Sequence, residues 1–142
     1  MIDAVVFDMD GVLVDSEPMH FASTNEVLAL HGAPALARED YETYVGMAER
    51  EFFTALSQRF ALEVPLERLL RERLARSLER MAREPLPPQP GALECLLGLA
   101  SSGRPLALAS SATRAQIGLV LERLGIRGRF AAVVSIEDVE RG

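Results

Sequence analysis

The chain has 142 residues, 49% of them hydrophobic and 25% charged, with a formal net charge of −6. That balance fits one ordinary globular domain, or a small domain carrying an insertion, and argues against disorder, general nucleic-acid binding and adhesion to a membrane surface. No apolar run approaches the roughly 20 residues that span a bilayer, and the N-terminal run is too short and acid-terminated for a signal peptide, so the expected location is cytoplasmic.

Ala4, Val5, Val6 and Phe7 form a short run without alternation, the pattern of a strand buried on both faces of a parallel sheet. Asp8 then stands at the strand's carboxyl end, where open α/β sheets bind ligands. Asp10 follows two residues on, and Gly11 frees the backbone to turn. Two carboxylates sharing one mouth repel, so the pair implies a divalent cation, a shared proton, or both. A lone Asp-x-Asp in a turn would be unremarkable. The longer string DMDGVLVDSE, directly after a strand, points to chemistry. Asp8 can attack an electrophile and form a covalent intermediate, while Asp10, if protonated, can donate to the leaving group and then activate water. Mg²⁺, a hard cation that favours carboxylate and phosphate oxygens, suits the charge gathered there.

Ser16 or Glu17 followed by Pro18 marks a helix start, and the apolar pattern through Phe21, Val27, Leu28 and Leu30 ends at Gly32. His20 lies early on this helix, where an imidazole near Asp10 would tune proton transfer. From about 33 to 86 the pattern is helical throughout, with one segment over Glu49 to Arg59 and a long amphipathic helix carrying Leu66, Leu69, Leu70, Leu74, Leu78 and Met81 between Pro65 and Pro85. Its arginines interleave with Glu63, Glu67, Glu72, Glu79 and Glu84, which reads as a solvated face. Every basic residue of the chain is Arg, so no lysine enters the catalytic inventory.

LPPQPG, 86–91, is a Pro-rich hinge. Beyond it come a helix over Leu93, Leu96, Leu97 and Ala100, a strand in PLALA at 105–109, a helix through Ile117, Val120, Leu121 and Leu124, and a strand from Phe130 to Ser135. Cys95, the single cysteine, falls on the apolar side of its helix and is expected to be a small core residue. Strand, helix, strand implies parallel crossovers. Ser110 and Ser111 close the second strand, where a hydroxyl can donate to a phosphoryl oxygen. Thr113 and Gln116 form a capping box for the next helix, whose positive end is expected to face the same place.

FDMDGVLVDSE resembles the first motif of the haloacid dehalogenase superfamily, in particular the β-phosphoglucomutase-like and phosphoglycolate-phosphatase-like subgroup with a helical cap inserted after that motif. The resemblance implies that Asp8 is the nucleophile that becomes an aspartyl phosphate and binds Mg²⁺. It makes Asp10 the general acid/base, lending its backbone carbonyl to the metal. Ser110 matches the second motif, which holds the transferring phosphoryl group, with Ser111 and Gly11 beside it. The fold implied is α/β, a partial doubly wound parallel sheet (Rossmannoid) with an all-helical cap: residues 1–15 and 87–142 form the core and 16–86 the cap. In the mutase branch a His occurs at the place of His20. That branch also has an Arg in the cap, in the pattern Gly, two residues, Arg, which binds the substrate's second phosphate. Here Gly46 puts Glu49 in that register, with Arg50 one place later, which counts against a mutase.

The third motif of the family opens on a Lys and Pro that would follow Gly142, and a later acidic motif completes its metal site. The 142-residue chain is therefore expected to be a segment of a longer protein, nearly inactive alone and inclined to self-associate through an exposed edge of its first strand. Two functions follow. One is a Mg²⁺-dependent phosphatase for a small phosphorylated metabolite, with a sugar-phosphate mutase as its variant. The other is a catalytically incompetent fragment or phosphate-binding domain.

Overall fold

The computed structural model describes residues 3–139. Three short strands form one parallel sheet in the order β1-β2-β3: β1 is Val5–Phe7, β2 Leu106–Ala109 and β3 Ala132–Val134. The register pairs Phe7 with Leu108 and Leu108 with Val133, so the three carboxyl ends lie along one side of the sheet. The helices are α1 (Glu17–Leu30), α2 (Arg38–Glu42), α3 (Glu49–Arg59), α4 (Leu66–Arg83), α5 (Ala92–Ser101) and α6 (Arg114–Arg123). No helix among the described residues is long and apolar enough to cross a membrane.

The chain divides into two compact units, one made of the residues up to Glu17 together with those from Met81 onward, the other Pro18–Arg80. In the first unit, β2 is the central strand and buries alternate side chains, Leu106 and Leu108, while α6 contributes Ile117, Val120 and Leu121. Where the chain leaves this unit and returns to it, the two passages pair: Asp15 N–H donates to Pro87 O (3.1 Å) and Gln89 N–H to Leu13 O (2.9 Å). The Pro-rich segment is thus fixed against the outgoing chain.

Two expectations fail here. Val6 is 65% exposed, although its run suggested a strand covered on both faces. Such runs are hydrophobic throughout only because elements pack on each face, and among the described residues nothing covers Val6. Cys95 is likewise exposed. Helix α5 buries Leu96 alone, so its inward stripe is too narrow to include the neighbouring position.

The second unit is helical. Val27 and Leu28 from α1, Leu36, Tyr41 from α2, Phe52, Phe53 and Leu56 from α3, and Leu69 from α4 make its core. The rings of Tyr41, Phe52 and Phe53 pack edge to face, Tyr41 to Phe52 at 5.8 Å and Phe52 to Phe53 at 5.3 Å, an arrangement that adds to simple burial. At the end of α1, His31 Nε2 lies 2.5 Å from Glu72 Oε2, while Arg68 Nε donates to Glu72 Oε1 (2.8 Å). Arg68 first, and then His31, hold the Glu72 carboxyl below the usual glutamate range. A depressed acid contributes stability above its unfolded pKa, and that contribution disappears as pH falls through the folded value. Glu72→Gln is therefore expected to flatten the acid limb of the stability profile below about pH 4. Urea midpoints between pH 6 and 3 check it, and parallel profiles for the two proteins would contradict it.

Candidate active site

The turn after β1 is wound around one carbonyl. The N–H groups of Val12, Leu13 and Val14 all approach Met9 O, at 3.3, 2.9 and 3.2 Å. Gly11 sits at φ 72°, a conformation that costs a side chain strain, and its N–H donates to Val14 O (2.9 Å). Met9, Leu13 and Val14 are fully buried. Met9 therefore anchors the middle of the Asp8-Met9-Asp10 tripeptide in the core, with an acid on either side. Asp8 is exposed, and its Oδ1 accepts from Met9 N–H at 2.6 Å. Asp10 is half-buried, and its Oδ1 accepts from the Ser16 hydroxyl at 2.5 Å.

Ser16 is 1% exposed. The sequence marked it only as a helix start, but the turn brings it back onto Asp10, where it orients the carboxyl. Ser16→Ala leaves that half-buried acceptor without this donor, a loss that costs about 1–3 kcal/mol. Denaturant unfolding measures it, and an unchanged midpoint would show that Ser16 only fills space.

Parallel pairing brings Ser110 to the same side of the sheet as Asp8, since Phe7 pairs with Leu108 two residues before it. Ser110 N–H is used by β3, donating to Val134 O (3.0 Å), and its Oγ accepts from Ala112 N–H (3.1 Å) in a tight turn. Ser111, beside it, is exposed. The capping box is present as expected: Thr113 Oγ1 accepts from Gln116 N–H and Gln116 Oε1 from Thr113 N–H.

The helix end is less open than expected, because Glu137 Oε2 accepts from Arg114 N–H (2.8 Å) and the Arg114 guanidinium pairs with Asp138. An acid from the segment after β3 thus already occupies a donor at the positive end of α6. Ser135 and Arg114 hold the Asp138 carboxyl far below the usual range.

The remaining candidates belong to the helical unit. His20 Nδ1 faces Arg73 Nη2 at 2.6 Å, and Glu49 Oε1 faces Arg73 Nη1 at 2.9 Å, so His20 and Glu49 share one arginine. Arg50 stands apart, paired at 2.7 Å with Glu67 in an exposed contact. Such pairs contribute little. Arg73 was not singled out by the sequence, although a signal existed: it follows Leu69 and Leu70 by four and three residues and so falls on the apolar stripe of α4.

Among the described residues no group of three or more His, Cys, Asp or Glu is arranged to hold a metal. Asp8 and Asp10 are the carboxylates that would hold Mg²⁺, an ion that is bound by one or two carboxylates and completes its shell with water and substrate phosphate. The donor chemistry fits that ion.

A profile of haloacid dehalogenase-like hydrolases matches residues 5–142. The chain belongs to the haloacid dehalogenase-like hydrolases. Within that family it is 31% identical over 141 residues to a phosphorylated carbohydrates phosphatase of Thermotoga maritima, covering 99% of this chain and 64% of the relative. It is 29% identical over 134 residues to a phosphoglycolate phosphatase of Agrobacterium fabrum, covering 90% and 56%. Among solved structures, a Thermotoga maritima protein provisionally described as a beta-phosphoglucomutase superposes with a TM-score of 0.76 at 30% identity, over 99% of this chain and 64% of that one. CbbY of Rhodobacter sphaeroides, solved in complex with phosphate, shares the fold with a TM-score of 0.85 at 23% identity, over 99% and 66%. This haloacid dehalogenase-like chain thus spans somewhat under two thirds of the length of those curated relatives.

Proposed function

We propose that the complete protein is a Mg²⁺-dependent phosphatase that hydrolyses a small phosphorylated metabolite through an aspartyl phosphate on Asp8. The observation that carries this reading is the Asp8-Met9-Asp10-Gly11 turn at the end of β1, with Asp10 oriented by Ser16. An Asp8 carboxylate oxygen forms a bond to phosphorus as the ester P–O bond breaks, and Asp10 gives its proton to the departing alkoxide. Water then attacks the aspartyl phosphate, Asp10 takes up its proton, and phosphate leaves with the Asp8 carboxylate restored. Ser110 Oγ is the side-chain donor available to the phosphoryl oxygens from β2. Mg²⁺ held by Asp8 and Asp10 would offset the charge between carboxylate and phosphoryl oxygens.

The names of the curated relatives support a phosphomonoester as substrate. A sugar-phosphate mutase is the second reading, favoured by the description of the solved Thermotoga maritima structure. It is disfavoured by Glu49, which stands where a cation for a second phosphate is expected. The test is a panel of phosphorylated metabolites offered to the complete protein, with phosphate release followed before and after chelation. Mg²⁺-dependent release is expected. Conversion of a sugar 1-phosphate to its 6-phosphate faster than phosphate appears would replace the phosphatase by the mutase.

The reading includes self-association of the 142-residue chain through β1, whose Val6 is exposed and which among the described strands pairs with β2 alone. Sedimentation checks this. A monomer at every concentration would refute it.

A further inference from the structure

Beside α6 lies a cavity of about 440 Å³, a size within the range of small-molecule sites, and none of the proposed catalytic groups lines it. Its walls are apolar. Ile117 and Leu121, each 2% exposed, come from α6, and Val133, 42% exposed, comes from β3. Water in such a slot covers hydrocarbon, so an apolar occupant that displaces it gains free energy. Gly118 widens the slot from the middle of α6, a place where glycine is a poorer helix former than every residue but proline. Neither conformation nor crowding requires a glycine there: its φ is not positive, and a Cβ would meet nothing within 4 Å beyond the adjoining chain. What the missing side chain provides is room in the cavity.

The polar groups of the lining are unequally committed. Where α6 begins, the Arg114 guanidinium pairs with Asp138, whose carboxyl also accepts from the Ser135 hydroxyl (2.7 Å), so these three satisfy one another. Past the other end of α6, Arg127 opens the short helical turn Arg127–Arg129, and its exposed side chain has no ion pair or hydrogen bond among the described residues. A guanidinium with its donors uncommitted takes a carboxylate in a two-point contact. We propose that this cavity binds an aliphatic carboxylate, its head paired with Arg127 and its hydrocarbon body laid against Ile117, Leu121 and Val133 in the room left by Gly118. The head sets the orientation and the body supplies most of the affinity, because an exposed ion pair alone contributes little.

Octanoate is titrated calorimetrically into the complete protein, into Arg127→Gln and into Gly118→Leu, with acetate as the head without the body. Octanoate is expected to bind the unaltered protein, its affinity to fall roughly tenfold or more in either variant, and acetate to give no measurable heat. Gly118→Leu places a good helix former in open space and is expected to melt no earlier than the unaltered protein. Should it fold poorly, Arg127→Gln, which changes only an exposed side chain, decides alone. Octanoate affinity unchanged in Arg127→Gln overturns the proposal, as does acetate binding as tightly as octanoate, or no octanoate binding to the unaltered protein. Self-association that Gly118→Leu abolishes, without octanoate binding, would make the slot an interface between copies and overturn it as well.

Discussion

Asp8→Asn in the complete protein is expected to abolish phosphate release and to leave no acid-stable phosphoenzyme, while unfolding at the same temperature as the unaltered protein. The separation of activity from stability follows from the local geometry. Asp8 is exposed, and the bond that its Oδ1 accepts from Met9 N–H can be made equally well by the amide oxygen of Asn. What is lost is the proposed nucleophile, and with it one of the two carboxylates that would hold Mg²⁺. Asp10→Asn is expected to behave differently: Ser16 can still donate to the new side chain, but no proton can be given to the leaving group or taken from water. General acid–base catalysis contributes typically about 10² to 10⁴ in rate, so both phosphorylation and hydrolysis of the intermediate slow by that order. Rapid quenching separates the two half-reactions. Wild-type turnover by Asp8→Asn would mean that the nucleophile is another group.

The largest effect on stability is expected at Phe53. It is fully buried in the helical unit, ring to ring with Phe52 and enclosed by side chains of α1, α3 and α4. Truncating a buried Phe to Ala costs about 3–5 kcal/mol through lost burial and the cavity left behind. Domains hold only about 5–15 kcal/mol in total, so Phe53→Ala should leave this unit marginal. Val45, 59% exposed, provides the contrast, and Val45→Ala should fall within about 0.5 kcal/mol of the unaltered protein. Denaturant unfolding of both variants measures the difference. A loss below about 1 kcal/mol at Phe53 would mean that the unit is not packed around it.

What the sequence disclosed was whatever is encoded over a few residues. The limits of α3, the Pro65 start of α4, the glycine stop after α1 and the Thr113–Gln116 capping box all depend on neighbours within a turn or two, and all are found. The acid-bearing turn was legible for the same reason. Contacts between distant segments were not. That Glu49 meets Arg73 depends on how α3 lies beside α4, and periodicity places Arg73 on the inner stripe without naming its partner. The Ser16 bond to Asp10 depends on how tightly the intervening turn winds. The exposure of Val6 and Cys95 depends on what covers them, and composition does not state that.

The pairing of β1 with β2 also sets a timetable for synthesis. The strand that carries the proposed nucleophile leaves the ribosome ahead of its partner, Leu106–Ala109, which is encoded about a hundred residues later. At roughly 5–20 residues per second, β1 waits on the order of 5–20 s for that partner. The intervening helical unit is contiguous, Pro18–Arg80, and its aromatic core needs nothing from either flank to begin collapsing. Translation therefore favours assembly of the inserted unit before the acid-bearing turn has a sheet behind it. Through that interval an apolar tripeptide next to two acids is exposed to chaperones and to other nascent chains.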